Sequence, residues 1–295
     1  MEMTLTGTGT SHGVPVIGCD CKVCTSGDEK NNRFRCSAYI KSTEANIVVD
    51  TGPEFRLQCI KYKIQTLDAV LLTHSHADHM NGLDDVRIFS HTKSSDSSTS
   101  SNETKGEGLP LYANKNTLRD LKNRFDYIFK DVQIGGGKPK LSLHEIPSGT
   151  KNQFEVKDIY ITPVNLKHGK LNDCGYIFTD SNAKKGIAYL TDCNFISDDS
   201  FAVIKNSCTT IEHLVIDALR IKPHSTHFSF LEAMDAAQKI KARHTWFIHM
   251  THEMLHTEIQ DYIDENLKHF PVLEKIVKEE GGSVCPAYDG LVLRA

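Results

Sequence analysis

The stretch His74-Ser75-His76-Ala77-Asp78-His79 directly follows the apolar run Leu67-Asp68-Ala69-Val70-Leu71-Leu72-Thr73. The run has the length and composition of a buried β-strand, so the stretch is predicted to lie at the C-terminal end of that strand. Imidazoles two residues apart on extended backbone point to the same side, so His74 and His76 can bind one metal ion. The Asp78-His79 pair then turns back and can serve a second ion. Four potential ligands within six residues therefore predict a metal centre.

A centre with two metal ions needs more ligands than this stretch offers. Three candidates follow strand-like runs: His168 after 159–164, Asp192 at the end of 188–192, and His249 at the end of 246–249. Each alone could be a structural polar residue, but their common position at strand ends favours metal binding. Imidazole and carboxylate ligands suit zinc, manganese or iron, and the residues do not choose among them. Asp50 either orients the site through hydrogen bonds or forms the turn before Thr51-Gly52.

Strand-like and helix-like segments alternate along the rest of the chain. Further strand-like segments are 3–6, 37–40, 46–50, 174–178, 186–190, 213–217 and 290–293, and the helical patterns are 117–129, 229–242 and 257–267. This alternation, with candidate ligands at strand ends, predicts an α/β sandwich formed by a single domain over 1–295. Residues at about 91–108 are rich in Ser, Thr, Asn, Lys and Glu, and they predict a disordered insertion in a surface loop.

The composition excludes several classes of protein. The chain has 295 residues, 39% hydrophobic and 24% charged, with a formal net charge of −4. A general binder of nucleic acids or membrane surfaces would usually be basic, so neither partner is expected. No apolar run reaches the ~18 residues that span a bilayer, and Met1-Glu2-Met3-Thr4 does not resemble a secretory signal. Nine cysteines, three of them within six residues, favour metal binding in a reducing compartment, which predicts a cytoplasmic protein.

The three close cysteines form a second candidate metal site in a loop at about 18–36. Cys19, Cys21 and Cys24 have CxCxxC spacing, and together they can bind one tetrahedral zinc ion. A closed structural site needs a fourth ligand. His252 can supply it because it lies three residues past His249 and can face a different ion. The alternatives are Cys36 as the fourth ligand, or reduced cysteines without a metal.

The order of the histidine and aspartate motifs resembles the metallo-β-lactamase superfamily, which implies a four-layer αββα sandwich. Within it, three features closely resemble the phosphoribosyl cyclic phosphodiesterases of the bacterial carbon–phosphorus lyase pathway. These features are Leu5-Thr6-Gly7-Thr8-Gly9 followed by Gly13-Val14-Pro15, the cysteine trio, and the final His249-Met250-Thr251-His252. The resemblance spans nearly the whole chain. The departures are Thr10-Ser11-His12 and the polar insertion after Ser90.

The resemblance implies a role for each candidate residue. One divalent ion would be bound by His74, His76 and His168, the other by Asp78, His79 and His249, with Asp192 bridging them and Asp78 also taking part in catalysis. The second histidine of His249-Met250-Thr251-His252 would complete a structural zinc site with the cysteine trio. His227 would be the general acid, although it could instead form hydrogen bonds near the helix that begins at Ser229.

Two further sets of residues are weaker candidates. His224 is an alternative to His227 as the acid. Arg33 and Arg35 could receive a substrate phosphate through forked hydrogen bonds, although loop arginines are more often solvated.

The implied function is a phosphodiesterase that opens a small cyclic phosphate, with a metal-bridging hydroxide as nucleophile. The resemblance implies that the substrate is a ribose 1,2-cyclic phosphate bearing a 5-phosphate, or a nucleotide carrying such a ring. A homodimer is expected by resemblance only. Competing functions within the fold are a thioester hydrolase or lactamase, which need not carry the cysteine trio, and a tRNA 3′-processing nuclease, which would need an RNA-binding arm. A di-iron redox enzyme would need a flavin domain. A non-catalytic, zinc-stabilised interaction module would be expected to have lost some of the ligands.

Overall fold

Two β-sheets form the framework that carries the predicted ligands. The computed structural model describes residues 1–92, 108–130, 137–146 and 153–295, so the insertion predicted at about 91–108 lies almost entirely outside the described residues. Seven described strands form the first sheet: β1 (Glu2–Gly7), β2 (Ser37–Lys41), β3 (Asn46–Val49), β4 (Ala69–Leu71), β5 (Leu109–Ala113), β6 (Leu141–Glu145) and β14 (Val292–Arg294). Their order across the sheet is β14-β1-β2-β3-β4-β5-β6.

The second sheet also has seven strands within the described ranges. They are β7 (Phe154–Val156), β8 (Ile159–His168), β9 (Leu171–Thr179), β10 (Lys185–Leu190), β11 (Thr210–Asp217), β12 (His244–Ile248) and β13 (Ser283–Pro286). Their order is β13-β12-β11-β10-β9-β8-β7. The strands β10, β11 and β12 are parallel, as are β3, β4 and β5 in the first sheet. Residues that follow these strands therefore gather at the carboxyl ends of the strands.

Helices cover the outer face of each sheet. Those on or near the first sheet are α1 (Phe55–Lys61), α2 (Ala77–Met80), α3 (Arg87–Thr92), α4 (Lys115–Arg124) and α5 (Asp126–Phe129). Those on the second are α6 (Asp198–Ser207), α7 (Phe230–Ile240), α8 (His256–Asn266) and α9 (Pro271–Lys278). Three short 3₁₀ segments are Glu29–Asn31, Leu83–Val86 and Leu267–His269. In the part of the chain that the structure describes, no helix is both long and apolar enough to cross a membrane.

Apolar packing holds the layers together in the order helix, sheet, sheet, helix. Leu5 and Ile47 of the first sheet pack in one cluster with Tyr176 and Ile248 of the second. Two outer clusters join the first sheet to α1 and α4, and the second sheet to α7, α8 and α9. The αββα sandwich implied by the motif order is thus confirmed.

Local signals account for the helix boundaries. Ser229 caps α7 in a reciprocal capping box with Glu232, as the sequence predicts for a helix that begins there. The single helix predicted over 117–129 is wrong, because α4 ends at Arg124 and α5 begins at Asp126. Phe125 between them has φ −111° and ψ 43° and buries its ring among the apolar residues beneath the helices.

Candidate metal-dependent active site

The predicted ligands lie at one edge of the sandwich, each at or just beyond the end of a strand. His74 follows β4, Asp192 follows β10 and His249 follows β12. The strand β8 continues through His168, which is four residues beyond the end predicted from the sequence. Asp50, Asp192 and His249 have positive φ values of 61°, 52° and 61°. The chain therefore changes direction at these residues and aims their side chains between the sheets.

The side chains gather into two groups, within each of which the possible ligand atoms lie within 4.8 Å of one another. One group contains His74, His76 and His168, and the other contains Asp78, His79, Asp192 and His249. The two oxygens of Asp192 lie 3.3 Å from the Nε2 atoms of His79 and His249, and one lies 3.8 Å from Nε2 of His74. Asp192 therefore connects the groups, which is the position implied for a bridging ligand.

Hydrogen bonds fix the outer nitrogens of several rings. Nδ1 of His79 donates to Asp50 Oδ2 (2.7 Å), and Nδ1 of His168 donates to the carbonyl of Thr226 (2.8 Å). Asp50 also accepts bonds from the backbone and hydroxyl of Thr73. The buried Nε2 atoms of His74, His79 and His249 have no hydrogen-bond partner among the described residues. Buried polar atoms left unpaired in this way fit a site that binds metal ions.

Burial and nearby charges set the protonation states of several side chains at the site. Burial lowers the pKa of His74 well below its usual range and that of His168 to about 4, so both rings are neutral near pH 7, the form that coordinates metals. Burial opposes the charged form of Asp192, but the nearby His249 and His79 rings outweigh it and lower the pKa of this carboxyl. The carboxylate form is likewise the one that binds a cation.

His227 lies directly against the metal-binding residues. Its ring stacks on that of His249, with centroids 4.4 Å apart and planes inclined by 15°, and it lies 4.6 Å from the His168 ring. Its Nδ1 is 2.6 Å from Asp217 Oδ2. The side chain is 10% exposed, so it is largely shielded from bulk solvent. His224 is exposed, and its ring centroid is 5.4 Å from that of His227.

Two buried carboxylates at the site were missed by the sequence analysis. Asp217 ends β11 and accepts bonds from His227 and from the backbone N–H of Cys193. Asp173 in β9 places Oδ1 3.7 Å from His74 Nδ1. The only sequence signal was a charged residue within or at the end of an apolar strand, which is unusual when the strand is buried.

The cysteine trio lies next to His252, as predicted. The Sγ atoms of Cys19, Cys21 and Cys24 each lie 3.4 Å from Nδ1 of His252. A tetrahedral zinc ion with ordinary Zn–S and Zn–N bonds separates sulfur from nitrogen by about 3.5 Å, so these four side chains fit such an ion. Cys36, the alternative fourth ligand, is instead buried in the core between the sheets.

The two arginines considered for substrate binding are engaged elsewhere. Arg33 is almost completely buried, and its Nη1 donates to the carbonyl of Thr251 (3.0 Å) beside the cysteine site. Arg35 forms an ion pair with Glu54 and donates from Nε to the carbonyl of Ser11 (2.6 Å).

The comparison with protein families agrees with this geometry. A family model described as a beta-lactamase superfamily domain matches residues 45–250, which contain every residue of the two ligand groups. The chain belongs to the metallo-β-lactamase superfamily. Combined with the site geometry, this membership makes it a metal-dependent hydrolase that uses divalent ions.

Three relatives illustrate the range of this superfamily. A crystal structure of a diphosphatase from the PhnP family is 33% identical, with a TM-score of 0.78, and the match covers 100% of this chain and 97% of that one. The chain therefore belongs to the PhnP family as well. An octanoyltransferase of Porphyromonas gingivalis is 33% identical over 285 residues, and this chain spans only about half (52%) of its length. A ribonuclease Z of Borrelia duttonii is 23% identical, with 90% of this chain and 92% of that protein covered.

Proposed function

We propose that this chain is a phosphodiesterase that hydrolyses a small cyclic phosphate, with two divalent ions in the centre and one structural zinc at the cysteine trio. The observation that carries the proposal is the position of Asp192 between two ligand groups, next to the His227–Asp217 pair. Two bound divalent ions would lower the pKa of a shared water and supply hydroxide near neutral pH.

The side chains around the centre supply orientation and a proton. Asp50 and the carbonyl of Thr226 hold the rings of His79 and His168, so that Nε2 of each ring remains available for a metal. Asp217 holds Nδ1 of His227, so the transferable proton is the one on Nε2 of the protonated ring. A leaving alkoxide is a poor leaving group unless it is protonated, and His227 is the proton donor in this proposal.

Two of the relatives favour phosphoryl chemistry over acyl transfer. A diphosphatase and a ribonuclease both cleave bonds to phosphorus, and the diphosphatase is similar to this chain along its whole length. The octanoyltransferase is about twice as long as this chain, so its name does not by itself describe the shared half. All nine cysteines lie in the described ranges and none of them forms a disulfide, which supports a reducing compartment such as the cytoplasm.

The test is an assay of purified, metal-analysed protein with ribose 1,2-cyclic phosphate, bis(p-nitrophenyl) phosphate, a thioester and a β-lactam. Reconstitution with zinc, manganese and iron in separate samples identifies the ion that supports turnover. Only the phosphodiesters are expected to react. Asp192→Asn, which removes the charge between the ligand groups, is the inactive control. Turnover of the thioester alone would contradict the proposal.

A further inference from the structure

The segment 74–84 carries four of the candidate ligands, and its outer side contacts α4 and α5. Three side-chain hydrogen bonds join the segment to these helices: Ser75 Oγ to Asp120 Oδ2 (2.8 Å), Arg124 Nη1 to Asn81 Oδ1 (3.1 Å) and Tyr127 hydroxyl to Asp84 Oδ1 (2.5 Å). The helix residues are spaced by four and then three positions, which places them on one helical face. This face therefore runs along the segment that carries the ligands.

The bond from Ser75 lies within the metal-binding loop itself. Ser75 stands between His74 and His76, whose rings face the first ligand group, whereas its hydroxyl reaches α4 on the other side. Ser75 is three residues beyond Leu72, whose N–H still pairs with the Tyr112 carbonyl of β5 (3.0 Å). A bond that holds the hydroxyl of Ser75 therefore fixes the backbone from which both rings project.

Asp120 has little to contribute to α4 on its own. Its Oδ1 accepts from Nε and Nη2 of the neighbouring Arg119, each at 3.3 Å, whereas its Oδ2 accepts the shorter bond from Ser75. Arg119 is exposed, and an ion pair of this kind adds little stability. Aspartate is also a weaker helix former than glutamate or lysine. The contact with Ser75 is therefore the one through which this carboxylate can affect the site.

We propose that Asp120 is a positioning residue of the metal centre. Its carboxylate holds Ser75, and it thereby keeps His74 and His76 in the arrangement that one ion needs. Asp78 and His79 of the second group lie on α2, where helical hydrogen bonds hold the backbone, so the effect is specific to the ion of the first group. This inference rests on the two-ion centre of the proposed function, and it adds a residue from outside that centre.

The test is a titration of zinc-loaded protein with a chromogenic chelator, which measures the affinity of each bound ion. The binding step that is lost in His168→Ala identifies the ion of the first group. Asp120→Ala should weaken this step by about tenfold, the effect of losing a hydrogen bond to a charged group, and leave the other steps unchanged. Asp120→Asn, which keeps an acceptor oxygen, should restore most of the affinity.

Two further variants separate this bond from other effects of the substitution. Ser75→Ala should weaken the same step, and the double variant with Asp120→Ala should lose no more than either single variant, because both remove one bond. Asp126→Ala is the matched control, since Asp126 lies on α5 and its ion pair is with Lys130 on the same helical turn. Its zinc affinities should equal those of the wild-type protein. The free energy of unfolding should change no more in Asp120→Ala than in Asp126→Ala.

Equal affinities of wild-type protein and Asp120→Ala for the first ion would overturn the positioning role, as would additive losses in the double variant. Both results leave the proposed function standing if the wild-type protein binds two ions at the centre and hydrolyses phosphodiesters. If the wild-type protein binds no ion at the first group, the two-ion centre fails. Hydrogen–deuterium exchange of the protein as purified then decides the role of Asp120. Asp120→Ala should raise exchange over residues 72–80 by about tenfold relative to Asp126→Ala, and equal exchange would overturn the role.

Discussion

Arg33 has the largest side chain that the structure buries almost completely (1% exposed). Its Nη1 donates to the carbonyl of Thr251, the residue before His252, whereas Nε and Nη2 have no hydrogen-bond partner in the described ranges. Burial lowers the pKa of this guanidinium from 12.5 to about 10, despite the opposing influence of Asp289, Asp28 and Cys24. Such a cation is costly to bury unless negative charge lies near it.

The size of this cost follows from the pKa. A fall from 12.5 to about 10 corresponds to roughly 3 kcal/mol against the charged form. Arg33 is charged at pH 7 in both the folded and the unfolded chain, so the whole cost is present there. Three thiolates and a neutral imidazole around Zn²⁺ carry a net charge of −1. Zinc at the cysteine trio would therefore supply the missing counter-charge, and the arginine stabilises the zinc-bound form in return.

Arg33→Met removes the charge and keeps the apolar stem of the side chain. In zinc-free protein this change should raise the free energy of unfolding by about 2 kcal/mol, because the relieved burial exceeds the ~1 kcal/mol of the lost hydrogen bond to Thr251. In zinc-loaded protein it should lower the affinity for zinc by about tenfold or more, since the counter-charge is lost.

Urea denaturation with and without zinc measures the first effect, and competition with a chromogenic chelator measures the second. Arg33→Lys, which keeps the charge, should change zinc affinity less than Arg33→Met. If Arg33→Met destabilised the chain equally with and without zinc, the side chain would act through packing alone, and the electrostatic reasoning would be refuted.

Four other substitutions test the His227–Asp217 pair, the cysteine site and one buried carboxyl group. His227→Ala should lower turnover at least tenfold with unchanged metal content, and Asp217→Ala should do the same because it removes the hydrogen bond that holds that ring. Wild-type turnover in either variant would exclude the residue from the mechanism. In metal analysis, His252→Ala should contain one zinc ion fewer per chain than the wild-type protein, with the other metal ions still bound. An unchanged metal content would mean that the cysteines alone hold that zinc ion. Burial raises the pKa of Asp289 to about 7, so the folded chain binds its proton more tightly than the unfolded chain does. The free energy of unfolding should therefore fall as pH rises from about 4 to 7, and the fall should be smaller in Asp289→Asn; equal pH dependence of both proteins in urea denaturation would contradict this.

The sequence could predict ligands but not the residues that act through them. His74, Asp192 and His249 are recognisable because each follows an apolar run, and the carboxyl ends of parallel strands meet at one edge. Asp217 and Asp173 belong to β11 and β9, and only the packing of the strands shows which histidine each carboxylate faces. Arg33 was misleading for a related reason. An arginine in a loop is usually solvated, and its burial here depends on contact with a segment more than two hundred residues away.

The backbone conformation at the strand ends positions the side chains of the candidate metal ligands. Asp50, Asp192 and His249 all take left-handed conformations, which non-glycine residues adopt only at a cost of about 1 kcal/mol or more. Glycine at these positions would remove that cost. It would also remove the Asp50 carboxylate that holds His79, the Asp192 carboxylate between the ligand groups, and the imidazole of His249. Each of these residues lies at or just beyond the end of a strand that is held in a sheet. Its left-handed backbone conformation turns its side chain toward the site. Three of the seven described non-glycine residues with positive φ therefore lie where the centre uses their side chains, and the neighbouring strands hold those three positions in place.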